Sequence, residues 1–494
     1  MAARSIMTKT DSLKLLILCL LNIALVMGSV FVPGSTLIAI VTAVWFDGLC
    51  YSMNNLEKRG ALFSFLLSFF LLLIGMQFME RFGLHEVEAE FSDEINTHAE
   101  ILLLISLIVL LAGYYISGKI RIAFRPGTSA HNNRSYSERD YNSREYFAVR
   151  KASKIMFLLT FAFNVFTIMD IVRFVFRYGY ILFYTSYVSS VPYVIKKAGD
   201  MCLICFWIFL STMPPKKEVS KLSVFYIIYL LLTLGTGKRF PFVAGLLTIF
   251  IYYIARNHLN SGNEIWISKK QIIRIMISAP IILWVLYIIG QVRVDRPLDA
   301  LRVDRAIIDF LYDQGGTINV IKRADKFASR LPDKHYLFGS TYEAISNNII
   351  FRRLGATSYS GNTIRHALEG YSFQHALSYV TMGQYYLLGH GLGSCYIAEA
   401  YYDYGYAGVI AVNFIYGVIF RKAFDLRRHG IWITAIILSM LYSLFLAPRG
   451  SADGFITDLV DLTTWGTIIV VWVFSEVILY RNASVRTHRS ENGI

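Results

Sequence analysis

The segment "AEILLLISLIVLLAGYYIS" (residues 99–117) decides what kind of chain this is. Its one formal charge, Glu100, stands near the start, and its apolar residues run on without alternation. A helix of about 20 residues crosses a bilayer core, whereas a barrel strand alternates apolar and polar positions. The run therefore reads as a membrane-spanning helix. The next segment is its opposite: "KIRIAFRPGTSAHNNRSYSERDYNSREYFAVRKASK" (119–154) carries nine lysines and arginines. Basic loops stay on the cytoplasmic side, so residues 118–153 are expected inside.

The pattern recurs along the chain. Apolar runs at 13–32, 35–53, 61–80, 99–117, 154–175, 199–214, 222–236, 241–255, 274–291, 405–420, 430–447 and 462–480 predict an all-α polytopic membrane protein with about twelve transmembrane helices. Composition agrees: 55% of residues are hydrophobic, 17% are charged, and mean hydropathy is +0.48. The net charge of +14 is mainly a topology signal, with some attraction to membrane lipids, and gives no reason to expect nucleic acid. Residues 13–32 are long for a cleavable signal and read as a signal anchor. Four of the five cysteines fall in apolar runs, so no disulfide framework is expected, and Cys202 with Cys205 reads as packing.

Both termini are expected inside, which leaves one long outer segment. The chain then divides into three parts: bundle 1–291, a cap 292–404, and bundle 405–494. Within the cap, helices are expected near 297–313 and 316–330, and residues 341–351 and 373–388 have the apolar spacing of interfacial segments.

Cations on the outer side oppose the orientation signal. "LGTGKRFPF" places Lys238 and Arg239 there, "GQVRVDR" Arg293, "FRRLGATSYSGNTIRH" Arg352 and Arg353, and "APRGSADG" Arg449. One such arginine can be explained by snorkelling or an ion pair. Several on one face suit a diphosphate or carboxylate, which guanidinium grips bidentately. The neighbouring glycines let backbone N–H groups approach an anion. A glycine- and tyrosine-rich stretch, "GHGLGSCYIAEAYYDYGYAGV" (389–409), adds Glu399 and Tyr402 at the mouth of a span. Glu399 or His375 could serve as a general base, and His390 flanks the same turn. No HExxH, DxD, GxSxG, P-loop or Rossmann spacing is present, so neither a metal nor a nucleotide cofactor is expected.

"YLFGSTYEAISNNIIFRRLGATSYSGNTI" with the later "GLGSCYIAEAYYDYGYAGV" resembles the outer-loop signature of Wzy-type O-antigen polymerases, the oligosaccharide repeat-unit polymerases. Tyr336, Gly339, Tyr342, Arg352, Arg353, Glu399, Tyr402, Gly405 and Gly408 hold the matching places. Phe351 stands where many relatives have proline, which blurs the register of Arg352 against Arg353. The resemblance implies a glycosyltransferase C-like bundle in the bacterial inner membrane, with its active face periplasmic. It also implies transfer of the growing glycan from undecaprenyl diphosphate to the next lipid-linked repeat unit, without metal. A flippase and a chain-length regulator of the same pathway are the implied partners. The residues leave two alternatives open: an O-antigen ligase with nearly the same chemistry, and a flippase or transporter of lipid-linked oligosaccharide. Carboxylates within the spans are too sparse to favour the transporter.

Overall fold

The computed structural model describes residues 9–86, 90–119, 141, 143–259, 264–293, 305–424, 426 and 429–491, and among these every regular element is helical. The long helices are α1 (Lys9–Ser29), α2 (Thr36–Met53), α3 (Leu56–Arg81), α4 (Asp93–Lys119), α5 (Arg144–Tyr178) and α6 (Tyr193–Ser211). They continue with α7 (Lys216–Leu234), α8 (Phe240–Leu259), α9 (Lys269–Arg293), α10 (Tyr396–Lys422), α11 (Ile431–Leu446) and α12 (Leu462–Glu491). Nine of them, among the described residues, are long and apolar enough to cross a membrane. The expected number of twelve is thus met in part. In α1 the described side chains of the apolar stretch are those of Ile17–Ser29, while α6 opens on Lys196, Lys197 and Asp200, and α7 on Lys216, Lys217, Glu218 and Lys221.

The bundle closes around α4 and α10. A side chain at Gly113 would overlap the backbone of Phe414, and one at Gly417 the carbonyl of Leu110, so the two helices meet backbone to backbone. Such small-residue crossings replace the hydrophobic drive that lipid cannot supply. At the same seam Asn413 donates to Ser106 Oγ at 3.1 Å and accepts from Tyr396 Oη at 2.7 Å. With no water to compete, these bonds fix the register of the pair.

Between α9 and α10 the described chain folds into short helices, Ala306–Gly315, Ile318–Lys326, Gly339–Ser346, Ile349–Arg353, Ile364–Glu369 and Phe373–Met382. The first two answer to the helices expected near 297–313 and 316–330; residues 294–304 lie outside the described residues. Charges dock this cap on the bundle. Lys322 is buried 3.9 Å from Glu80, whose carboxylate also accepts from Tyr312 Oη at 3.0 Å. Glu100 accepts from Gln77 and from Arg81. Arg323 takes Glu90 through two nitrogens, at 3.2 and 2.7 Å, and His98 meets Asp325 at 2.9 Å. Buried charges persist only when paired, so the cap has a defined seat on α3 and α4. Asp403 on α10 adds a second, accepting from the backbone N–H groups of Tyr336 and Leu337.

Candidate active site

A cavity of about 580 Å³ opens at the end of the bundle that carries the cap. Its cations arrive on two separate turns. The first joins α7 to α8, where Gly237 has a φ of 80° and its Cα faces the Tyr180 ring. This turn presents Lys238 and Arg239 to the cavity. Arg239 Nη1 donates to the Leu286 carbonyl on α9 at 3.2 Å, which sets the direction of its fork. The second is the 3₁₀ turn Ala447–Arg449 after α11, which adds Arg449 to the lining.

The glycine turn lines the same cavity. Gly389 and Gly393 have φ of 101° and 81°, a left-handed backbone that a side chain would strain. Asn362 Nδ2 donates to the carbonyls of Tyr386 and His390, and Leu392 N–H donates to Ser378 Oγ at 3.0 Å. These bonds hold His390, Gly391 and Leu392 against the cavity. Tyr180, Tyr184, Gln314, Gln374 and Tyr442 complete much of the lining, and among the described residues no aspartate or glutamate lines it. A cavity of this size with positive charge, amides and phenols suits an anionic ligand with a polar body. Among the described residues no group of three or more His, Cys, Asp or Glu is placed to hold a metal ion.

Of the residues expected in the site, Lys238, Arg239 and Arg449 therefore meet at one cavity; Arg352, Arg353, Tyr402, His375 and Glu399 do not line it. Arg352 and Arg353 are exposed on the short helix Ile349–Arg353 and do not line it. Arg293 ends α9, and its side chain lies outside the described residues. Tyr402 packs against Tyr336 and Phe373 and donates to the Pro332 carbonyl at 3.1 Å, in the seam between α10 and the cap. His375 sits behind the wall. Its Nδ1 is 2.8 Å from Tyr386 Oη, and its ring stacks on His366 at 3.7 Å. Burial and the neighbouring His366 push His375 down to about 4. Burial opposes charge on His366 as well, yet its bond to Glu343 at 3.0 Å outweighs this and raises its pKa.

Glu399 is buried in the first turn of α10. That helix begins at Tyr396 and runs through an irregular point at Gly405, so Glu399 lies inside the helix and not above it as expected. One carboxylate oxygen accepts from Ser394 Oγ at 2.6 Å and the other from the Ala452 N–H at 2.8 Å. Ser394 closes the glycine turn and Ala452 the Arg449 turn, so this side chain fastens the two walls together. Tyr416 Oη reinforces the joint by donating to the Ala452 carbonyl at 2.8 Å.

The profile of the O-antigen polysaccharide polymerase Wzy family matches residues 12–482, nearly the whole chain. The chain belongs to the Wzy family. No curated protein and no solved structure gives a significant match. Membership bears out the family resemblance read from the sequence.

For a Wzy polymerase built in this way, glutamine at 399 is a discriminating change. Its oxygen can accept from Ala452 N–H while its amide donates to Ser394, so Glu399→Gln should keep polymer formation within a few-fold of normal. Glu399→Ala leaves a buried N–H and hydroxyl without their acceptor, which costs about 1–3 kcal/mol, and should loosen both turns. Polymer length on gels at matched protein level, with thermal unfolding in detergent, checks this. Loss of polymer from a normally stable glutamine variant would return Glu399 to the chemistry.

Proposed function

We propose that this Wzy polymerase extends O-antigen by transferring the growing glycan from undecaprenyl diphosphate to the next lipid-linked repeat unit, on the periplasmic side. The observation that carries this reading is the meeting of Lys238, Arg239 and Arg449 with the glycine turn around one cavity. In the reaction an acceptor hydroxyl oxygen attacks the anomeric carbon of the donor glycan. The bond from that carbon to the phosphate oxygen breaks, and the diphosphate leaves with the electron pair. Charge grows on the departing oxygen, where fixed guanidinium groups in a low-dielectric site stabilise it most. The hydroxyl proton must leave as the new bond forms. His390 is the imidazole on the cavity wall and is placed to accept it, while Glu399 holds the two turns at the right separation.

The periplasmic assignment rests on the basic composition of the sequence between α4 and α5, because α4 meets the cap at its opposite end, where His98 contacts Asp325. Deletion with analysis of the surface polysaccharide tests the function. A polymerase deletion leaves lipid A core bearing a single repeat unit. Bare core with accumulated lipid-linked polymer would instead assign a ligase, and repeat units trapped in the cytoplasm a flippase.

A further inference from the structure

The arginines absent from the cavity sit on a feature with its own logic. Asn347 closes the base of a finger: its side chain accepts from the Tyr359 N–H at 2.9 Å and donates to the Tyr359 carbonyl at 2.9 Å. Within it, Asn348 caps the helix Ile349–Arg353 by accepting from Ile350 N–H, and Ala356 N–H returns to the Phe351 carbonyl at 2.9 Å. The finger is thus a closed, hydrogen-bonded structure. Its tip nevertheless exposes Ile349 (53%), Ile350 (52%), Phe351 (46%) and Leu354 (78%), with Arg352 and Arg353 exposed beside them. In a membrane span such exposure faces lipid; here it stands outside every span and needs another cover.

The root of the finger shows where it sits. The preceding helix, Gly339–Ser346, is tied to Asp453 through the Thr341 N–H at 2.7 Å and packs on the helix Gly454–Val460. That helix leads directly into α12 at Leu462, at the edge of a span. An ordered apolar tip at this level, with two guanidinium groups at its margin, has the chemistry of a membrane interface. The aliphatic and aromatic groups enter the acyl boundary and the arginines meet lipid phosphates.

We propose that residues 347–359 form a foot that inserts into the anionic phospholipid leaflet on the cap side and holds the cap against the membrane. The test uses full-length protein, one copy per lipid nanodisc, with Leu354→Cys labelled by bimane and Cys19 and Cys50 changed to serine. Quenching by lipids carrying a shallow doxyl group, with little quenching by iodide, is expected. Arg352→Glu with Arg353→Glu should reduce the doxyl quenching in phosphatidylglycerol discs. Quenching by iodide and not by doxyl lipid would overturn the proposal. So would protection from iodide that appears only when a membrane extract is added, since that would assign the tip to a protein partner.

Discussion

Arg449→Ala at normal protein level is expected to lower polymerisation about 10²–10³-fold, the usual loss when a preorganised anion-stabilising group is removed. Arg239→Ala should lose a similar factor. Both belong to turns that line the cavity. Arg239 is aimed by its bond to the Leu286 carbonyl, and Arg449 by a turn fastened to Glu399. Lysine preserves the charge but not the planar fork, so Arg→Lys variants should also be impaired. If the groups act on the developing diphosphate charge, kcat falls more than substrate affinity. The measurement is polymerisation of purified lipid-linked repeat units, alongside binding of the same donor. Full-length polymer from both alanine variants would reduce the two arginines to structural roles.

His390→Gln is expected to lower kcat about 10²–10⁴-fold, the range for loss of a positioned general base. The backbone at His390 is pinned on both sides: its N–H donates to the Tyr385 carbonyl and its carbonyl accepts from Asn362. The ring therefore has a defined place on the wall. A base takes its proton on a ring-nitrogen lone pair that the glutamine amide does not offer, and the pH–rate profiles of both enzymes are recorded. His375 gives the contrast. Held down to about 4 by burial and by His366, it stays uncharged across the neutral range and does not line the cavity. A limb near pH 4 that survives His390→Gln and vanishes in His375→Gln would move the proton acceptor to His375.

The fold was legible where the physics is one-dimensional. An uninterrupted apolar run such as 99–117 has few options in lipid, and α4 covers it. Runs with charged first turns, as in α6 and α7, are ambiguous because hydropathy averages a wet end with a dry one. The cavity was legible through its charges: Lys238, Arg239 and Arg449 stood out as cations beside glycine. Gln314, Asn362 and Gln374 did not, since a neutral amide leaves no mark in composition or spacing. Tyr180 and Tyr184 could have been noticed from the aromatic stretch just after α5. The place of Glu399 was beyond sequence reasoning for a specific cause. One of its partners is a backbone N–H 53 residues away, and no side chain announces it.

The wall that carries Tyr180 and Tyr184 is attached differently from the rest of the cavity. The segment after α5 reaches back to a single carboxylate, with Tyr187 Oη, both hydroxyls of Ser189 and Ser190, and the Ser190 N–H all donating to Asp170. Burial and that carboxylate push the Tyr187 phenol up to about 12, so it stays a donor. Charge-gripping and phenol-bearing walls are in this sense separate components. A redesign for a different sugar could exchange the Tyr180–Tyr184 panel, keeping Asp170 as its socket, and leave the Arg239 and Arg449 turns as they stand.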